Sequence, residues 1–164
     1  MRALLFRIIY FFVFFGTSTI AGMLIPFLQY KGFDPIQTGS LISLFTLSGL
    51  VGLFSIGYFC DKLKTIKKVL FPSLIITTIT GAIAILFNKG VVFYIGFFLM
   101  GLFNSMLGPL CDSWIMESSN DIKSRFGQLR AFGSVGWAFG VLIVGFVISN
   151  LGYKYVTFIY VGSI

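Results

Sequence analysis

Two opposite charges interrupt apolar runs of the chain: Asp112 in one and Arg130 in the next. Asp121 lies midway between them in a short polar stretch, nine residues from each. If the two runs form an antiparallel helical hairpin about that stretch, Asp112 and Arg130 face each other at similar depth, well inside what should be hydrocarbon. A charge at the bilayer centre costs about 2.5–3.5 kcal/mol on insertion scales, so such charges are usually paired and functional. Trp137 follows Arg130 by seven residues, two helical turns, and shares its face. A guanidinium is a planar fork of donors, a carboxylate accepts from two donors, and an indole offers an apolar face with an N–H at its edge. That is binding chemistry rather than bond-making chemistry. A purely structural reading stands beside it. Arg130 snorkels to the surface, since Arg125 is only five residues away; Asp112 pairs with it for folding alone; Trp137 packs.

The runs that carry these residues must span a membrane. The chain is 57% hydrophobic and 10% charged, with mean hydropathy +0.99, where a soluble domain carries about 25% charged residues. About 20 apolar residues cross the hydrocarbon as a helix, and lipid leaves no other partner for the backbone. The runs are too long and too uniformly apolar for barrel strands. They predict an all-α polytopic membrane protein with helices over residues 4–29, 36–60, 69–88, 91–117 and 126–151, and an incomplete sixth over 155–164. The whole chain, 1–164, reads as one transmembrane bundle.

The net charge of +7 does not imply nucleic acid. Arg2, Arg7, Lys62, Lys64, Lys67, Lys68, Lys123 and Arg125 fall at alternate boundaries between runs, and only Lys31, Lys89 and Lys154 at the others. That bias predicts a cytoplasmic N-terminus. Ser18, Gly22 and Pro26 recur every four residues in the first run as a small, kinkable stripe, for close packing or for lining a cavity. Asn104, Gly108 and Asp112 share a face of the fourth run, and Pro109 beside them is expected to kink that helix. No histidine is present, and Cys60 and Cys111 lack metal or redox spacing. No nucleophile–base pair, metal cluster or phosphate-binding loop is visible. The expectation is therefore a non-enzymatic protein without cofactor or metal.

The stretch Gly57 to Lys68, GYFCDKLKTIKK, resembles the loop between the second and third helices of the major facilitator superfamily. Gly57, Asp61 and Lys62 match that pattern, as do the trailing Lys67 and Lys68, while Lys64 replaces its second glycine. By resemblance this is a conformational-switch loop; a solvated basic loop explains the same residues. Phe126 to Trp137, FGQLRAFGSVGW, closely resembles the fifth helix of lactose permease and its oligosaccharide:proton symporter relatives. In that branch an acid lies eighteen residues before the arginine. Asp112 occupies the place, although the branch has glutamate there.

The resemblance implies the N-terminal six-helix bundle of a secondary transporter in a bacterial plasma membrane, with its sixth helix truncated and its C-terminal bundle absent. Alternating access would carry a sugar or similar small solute with protons, and Asp112, Arg130 and Trp137 would bind it. The same trio also suits an aromatic or other organic acid. A carboxylate held by arginine is a poor proton carrier, so coupling residues are expected in the other half. The expected partners are the solute, protons, the lipid bilayer and that missing half. The rival class is a membrane structural or assembly subunit, in which Asp112 and Arg130 only pair helices.

Overall fold

The computed structural model describes residues 2–87 and 90–163. The turn expected at Asn88 and Lys89 and the chain end at Ile164 lie outside the described residues. Among the described residues all regular structure is helical: α1 (Arg2–Ala21), α2 (Leu24–Tyr30), α3 (Pro35–Leu63), α4 (Lys67–Leu86), α5 (Val91–Met116), α6 (Asn120–Ser124), α7 (Phe126–Leu151) and α8 (Val156–Ser163), the last entered through a 3-10 turn at Tyr153–Tyr155. Five segments are long and apolar enough to cross a membrane, with α1 and α2 together making the first. The protein is an all-α, multi-pass integral membrane protein.

Local chemistry explains where the helices start and stop. Pro26 has no N–H, and its ring clashes with the carbonyl four residues back, that of Gly22. The first run accordingly breaks at Gly22–Met23 into α1 and α2, where hydropathy alone reads one helix. Asp34 opens α3 with a reciprocal cap: its Oδ1 accepts from the Gln37 backbone N–H at 2.7 Å, its own N–H donates to Gln37 Oε1 at 3.3 Å, and Pro35 fills the first turn. Helix α3 runs on to Leu63, so Gly57, Asp61 and Lys62 lie on helix, and the connection to α4 is only residues 64–66. The polar stretch before α7 contains the short helix α6, steadied by Arg125 on Asp121 at 3.1 Å.

The helices pack in the order α7, α1, α8, α4, α5, α3, each against the next. Two apolar cores result. One, near the end bearing the Lys64–Ile66 connection, gathers Phe6, Tyr10, Leu70, Leu107, Leu110 and Leu129. The other, toward the opposite end, is aromatic and is built around Phe27, Phe33, Phe93, Phe97 and Tyr160. Large apolar side chains such as Ile36, Phe54, Leu142 and Phe146 point away from the bundle, which suits hydrocarbon rather than water. Helices α3 and α7 are the least enclosed of the five spans, at 22% buried each.

Candidate functional site

Helix α7 lies along α1, not along α5 as a simple hairpin would have it. Glycines decide this. A methyl at Gly136 would overlap the Phe11 carbonyl oxygen, and one at Gly140 would overlap Ser18 Oγ. The two backbones therefore meet, as small residues permit in lipid. Ser18 is fully buried there, which resolves the stripe in α1 as a packing surface at that position. Helix α5 instead packs between α3 and α4.

The ion pair bridges these two groups of helices. Arg130 Nη1 lies 3.5 Å from Asp112 Oδ2. The side chains are unequally presented: Arg130 is 61% exposed and Asp112 27%. Both stand close to the helix ends. Asp112 is four residues before the end of α5 and Arg130 four residues into α7, about 6 Å along each axis. The pair is thus shallower than the sequence suggested, at a depth where a charge costs less than at the midplane. Trp137 lies seven residues farther along α7, about 10 Å deeper.

A cleft of about 310 Å³ connects the levels, lined by Phe14, Arg130, Ser134 and Trp137. Asp112 is not part of this lining and reaches the cleft through its contact with Arg130. A second space, about 190 Å³, shares Phe14 and Trp137 and continues to Thr17, Asn104, Ser105 and Gly108. The small face of α5 thus opens toward the same cleft as the arginine and the indole. Helix α5 runs unbroken through Pro109.

Sequence reasoning missed Tyr10. It is fully buried on α1, and its phenol donates to Asp112 Oδ1 at 2.6 Å. The available signal was a phenol in the apolar run IIYFFVFF, since a buried tyrosine hydroxyl needs a partner. Arg7, one turn earlier, lies over the Phe132 ring at 5.2 Å instead of serving only as a boundary charge.

The residues expected to form a switch loop sit apart from the cleft. Asp61 is exposed and forms no ion pair among the described residues. Lys62 lies over the Tyr58 ring at 5.5 Å, and Lys67 over Trp114 at 5.3 Å. Lys64, at the position of the pattern's second glycine, adopts the left-handed conformation that glycine would favour, with φ of 50°.

Comparison with known proteins places this bundle. The family model of the major facilitator superfamily matches residues 7–164. The chain belongs to the major facilitator superfamily. It is 23% identical over 153 residues to a maltose permease of Geobacillus stearothermophilus, covering 93% of this chain and 39% of that protein. It is 28% identical over 155 residues to an uncharacterized transporter, YwbF, of Bacillus subtilis (strain 168), covering 92% of this chain and 38% of that one. The chain thus spans about two fifths of the length of these relatives. No solved structure matches it significantly. The two relatives carry the names of a permease and a transporter, and the superfamily is one of transporters rather than enzymes.

Proposed function

We propose that the chain forms the N-terminal bundle of a secondary transporter that carries a sugar with protons by alternating access. The observation that carries this is the cleft itself, which an exposed guanidinium, tethered to a carboxylate, lines together with an indole. A sugar has hydroxyls for the guanidinium fork and an apolar face for Trp137. The maltose permease relative supports a sugar, and the bacterial sources of both relatives support a bacterial plasma membrane. The bias of basic residues supports a cytoplasmic N-terminus. The weakly enclosed α3 and α7 suit a surface against which a second bundle rocks. Proton coupling is assigned to residues outside this chain, because Asp112 is already engaged on both oxygens.

A second reading rests on the same exposure of Arg130: with most of its fork unengaged, it can hold the carboxylate of an aromatic acid while Trp137 covers the ring. Binding of glucosyl disaccharides, maltose among them, and of benzoate, measured calorimetrically on the whole protein, separates the two. The sugar reading expects disaccharide binding that Arg130→Lys does not restore, because lysine keeps the charge and loses the fork. The double change Asp112→Asn with Arg130→Gln removes both charges. A binding pair then gives normal folded yield and no solute binding. Normal affinity in the double variant overturns the site, and benzoate binding with no disaccharide binding overturns the sugar.

A further inference from the structure

We propose that Tyr10 is the positioning residue of this site, and that Asp112 acts on the solute through Arg130 rather than by touching it. This rests on reading the cleft as the solute site and divides the labour within it.

Each carboxylate oxygen of Asp112 has its own protein partner from a different helix. Oδ1 accepts the Tyr10 phenol of α1 at 2.6 Å, and Oδ2 faces Arg130 Nη1 of α7 at 3.5 Å. An aspartate on α5 held from two sides has its rotamer and its reach fixed. Tyr10 can hold it because Tyr10 is itself held. It is fully buried, it stacks on Phe14 with ring centroids 5.8 Å apart, and it packs in the core with Met106, Leu110 and Leu129. Gly133 of α7 leaves the room for that ring: a Cβ there would come within 3.2 Å of Tyr10 Cδ1. The phenol is therefore a rigid donor and the carboxylate a fixed acceptor. The guanidinium, anchored at one terminal nitrogen, leaves Nε and Nη2 unengaged by any acceptor among the described residues.

The lining of the cleft agrees with this order. Phe14, Arg130, Ser134 and Trp137 form its wall, and Asp112 does not. Phe14 belongs to both parts of the arrangement, since one face of it stacks on Tyr10 and it also lines the cleft. The stack that fixes the donor thus also shapes the space the solute enters. A charge-assisted bond such as Tyr10 to Asp112 is among the stronger kinds. Its loss frees the carboxylate to turn with Arg130, and the fork then meets the solute in many orientations.

Tyr10→Phe tests this, because it removes only the hydroxyl and keeps the stacked ring and the core volume. Two readouts are taken on the whole protein in lipid nanodiscs. The first is the rate at which a guanidinium-selective dicarbonyl reagent modifies Arg130, followed by mass spectrometry with Arg125 as the internal reference. The second is the affinity for glucosyl disaccharides. The expected result is faster modification of Arg130 with Arg125 unchanged, and about tenfold weaker solute binding. Unchanged Arg130 modification overturns the positioning role whatever the solute does. Faster modification with unchanged solute affinity leaves Tyr10 in place and overturns the cleft as the solute site. Tyr10→Leu, which loses the ring as well, serves as the comparison for loss of packing. Equal effects of Phe and Leu on Arg130 assign the role to the ring and overturn the hydroxyl.

Discussion

Helix pairs α1–α7 and α3–α5 are assembled by the same device and put to different use. In each, glycines bring two backbones together. Gly136 and Gly140 meet Phe11 and Ser18 in the first, and Gly52 and Gly101 meet Leu102 and Ser48 in the second. In each, serines sit at the contact; Ser105 Oγ lies 2.8 Å from the Gly49 carbonyl oxygen and 2.9 Å from that of Leu102. Among the described residues no ion pair joins α3 to α5. Along α1–α7 the close approach gives way to Tyr10, Phe14, Arg130 and Trp137, and a cleft opens. Small residues alone therefore say where helices touch. Polar side chains one or two turns away are what single out the α1–α7 contact as the proposed solute site.

The largest effects are expected from breaking each contact in turn. Gly136→Ala sets a methyl against the Phe11 carbonyl, and Gly52→Ala sets one against the Leu102 carbonyl. Backbone cannot step aside as a flexible side chain does, so each should cost about 1–3 kcal/mol as overpacking, read by denaturant unfolding in mixed micelles. The two should part in the site. Gly136→Ala shifts Arg130 relative to Tyr10 and Asp112, raising dicarbonyl modification of Arg130 and weakening solute binding. Gly52→Ala should leave both unchanged. Matching losses of solute binding in the two variants would remove the distinction between a site contact and a packing contact.

Removing one polar group from each pair should give smaller effects. Asp112→Asn takes the counter-charge from Arg130, which is exposed enough to turn to water or headgroups. Folded yield should stay close to that of the parent, while solute affinity falls about tenfold. Ser105→Ala removes a hydroxyl shared between two helices, and interhelical bonds of this kind in membranes average about 0.6 kcal/mol. It should lower stability by about that much and leave affinity alone. Severe misfolding of Asp112→Asn would make the pair a folding device and favour the structural reading.

What the sequence disclosed follows from which forces are local. The spans were legible because charge is excluded from hydrocarbon over a length fixed by the bilayer, and the Asp112–Arg130 pairing was legible because two lone charges on either side of one turn have few other partners. The stripe through Gly22 and Pro26 was legible as kinkable, but hydropathy alone did not show that the run splits into two helices at Gly22–Met23. The lateral neighbour of α7 was hidden as well. Gly133, Gly136 and Gly140 announce that something packs closely but carry no information on which helix it is. Tyr10 was missed for a related reason: a tyrosine among phenylalanines reads as bulk, and only the fold sets its hydroxyl against a carboxylate 102 residues away. The shallow depth of the pair came from helix ends, and α7 begins within one residue of α6, which hydropathy cannot time.

The smallest expected effect lies at the end of α3 and asks whether that helix pair speaks to the site at all. Lys64 is the one non-glycine residue with positive φ among those described. It closes α3 in the left-handed conformation, where a Cβ costs about 1–2 kcal/mol. Glycine adopts the same geometry without that clash, at the expense of more freedom lost on folding. Lys64→Gly should therefore stabilise the protein by about 0.5–1 kcal/mol. Gly57, Asp61, Lys62, Lys67 and Lys68 flank this position. If they form a switch, easing the turn should change the rate of transport by the whole protein while leaving solute affinity and Arg130 modification as they were. On the proposed reading affinity rests on α1, α5 and α7, while the connection from α3 to α4 touches the core nearest to it through Ile66 and, by way of Lys67, Trp114. Destabilisation by Lys64→Gly would mean that the lysine side chain contributes more than its backbone conformation costs. A changed solute affinity would mean that the two helix pairs are coupled, and the division drawn between them would fall.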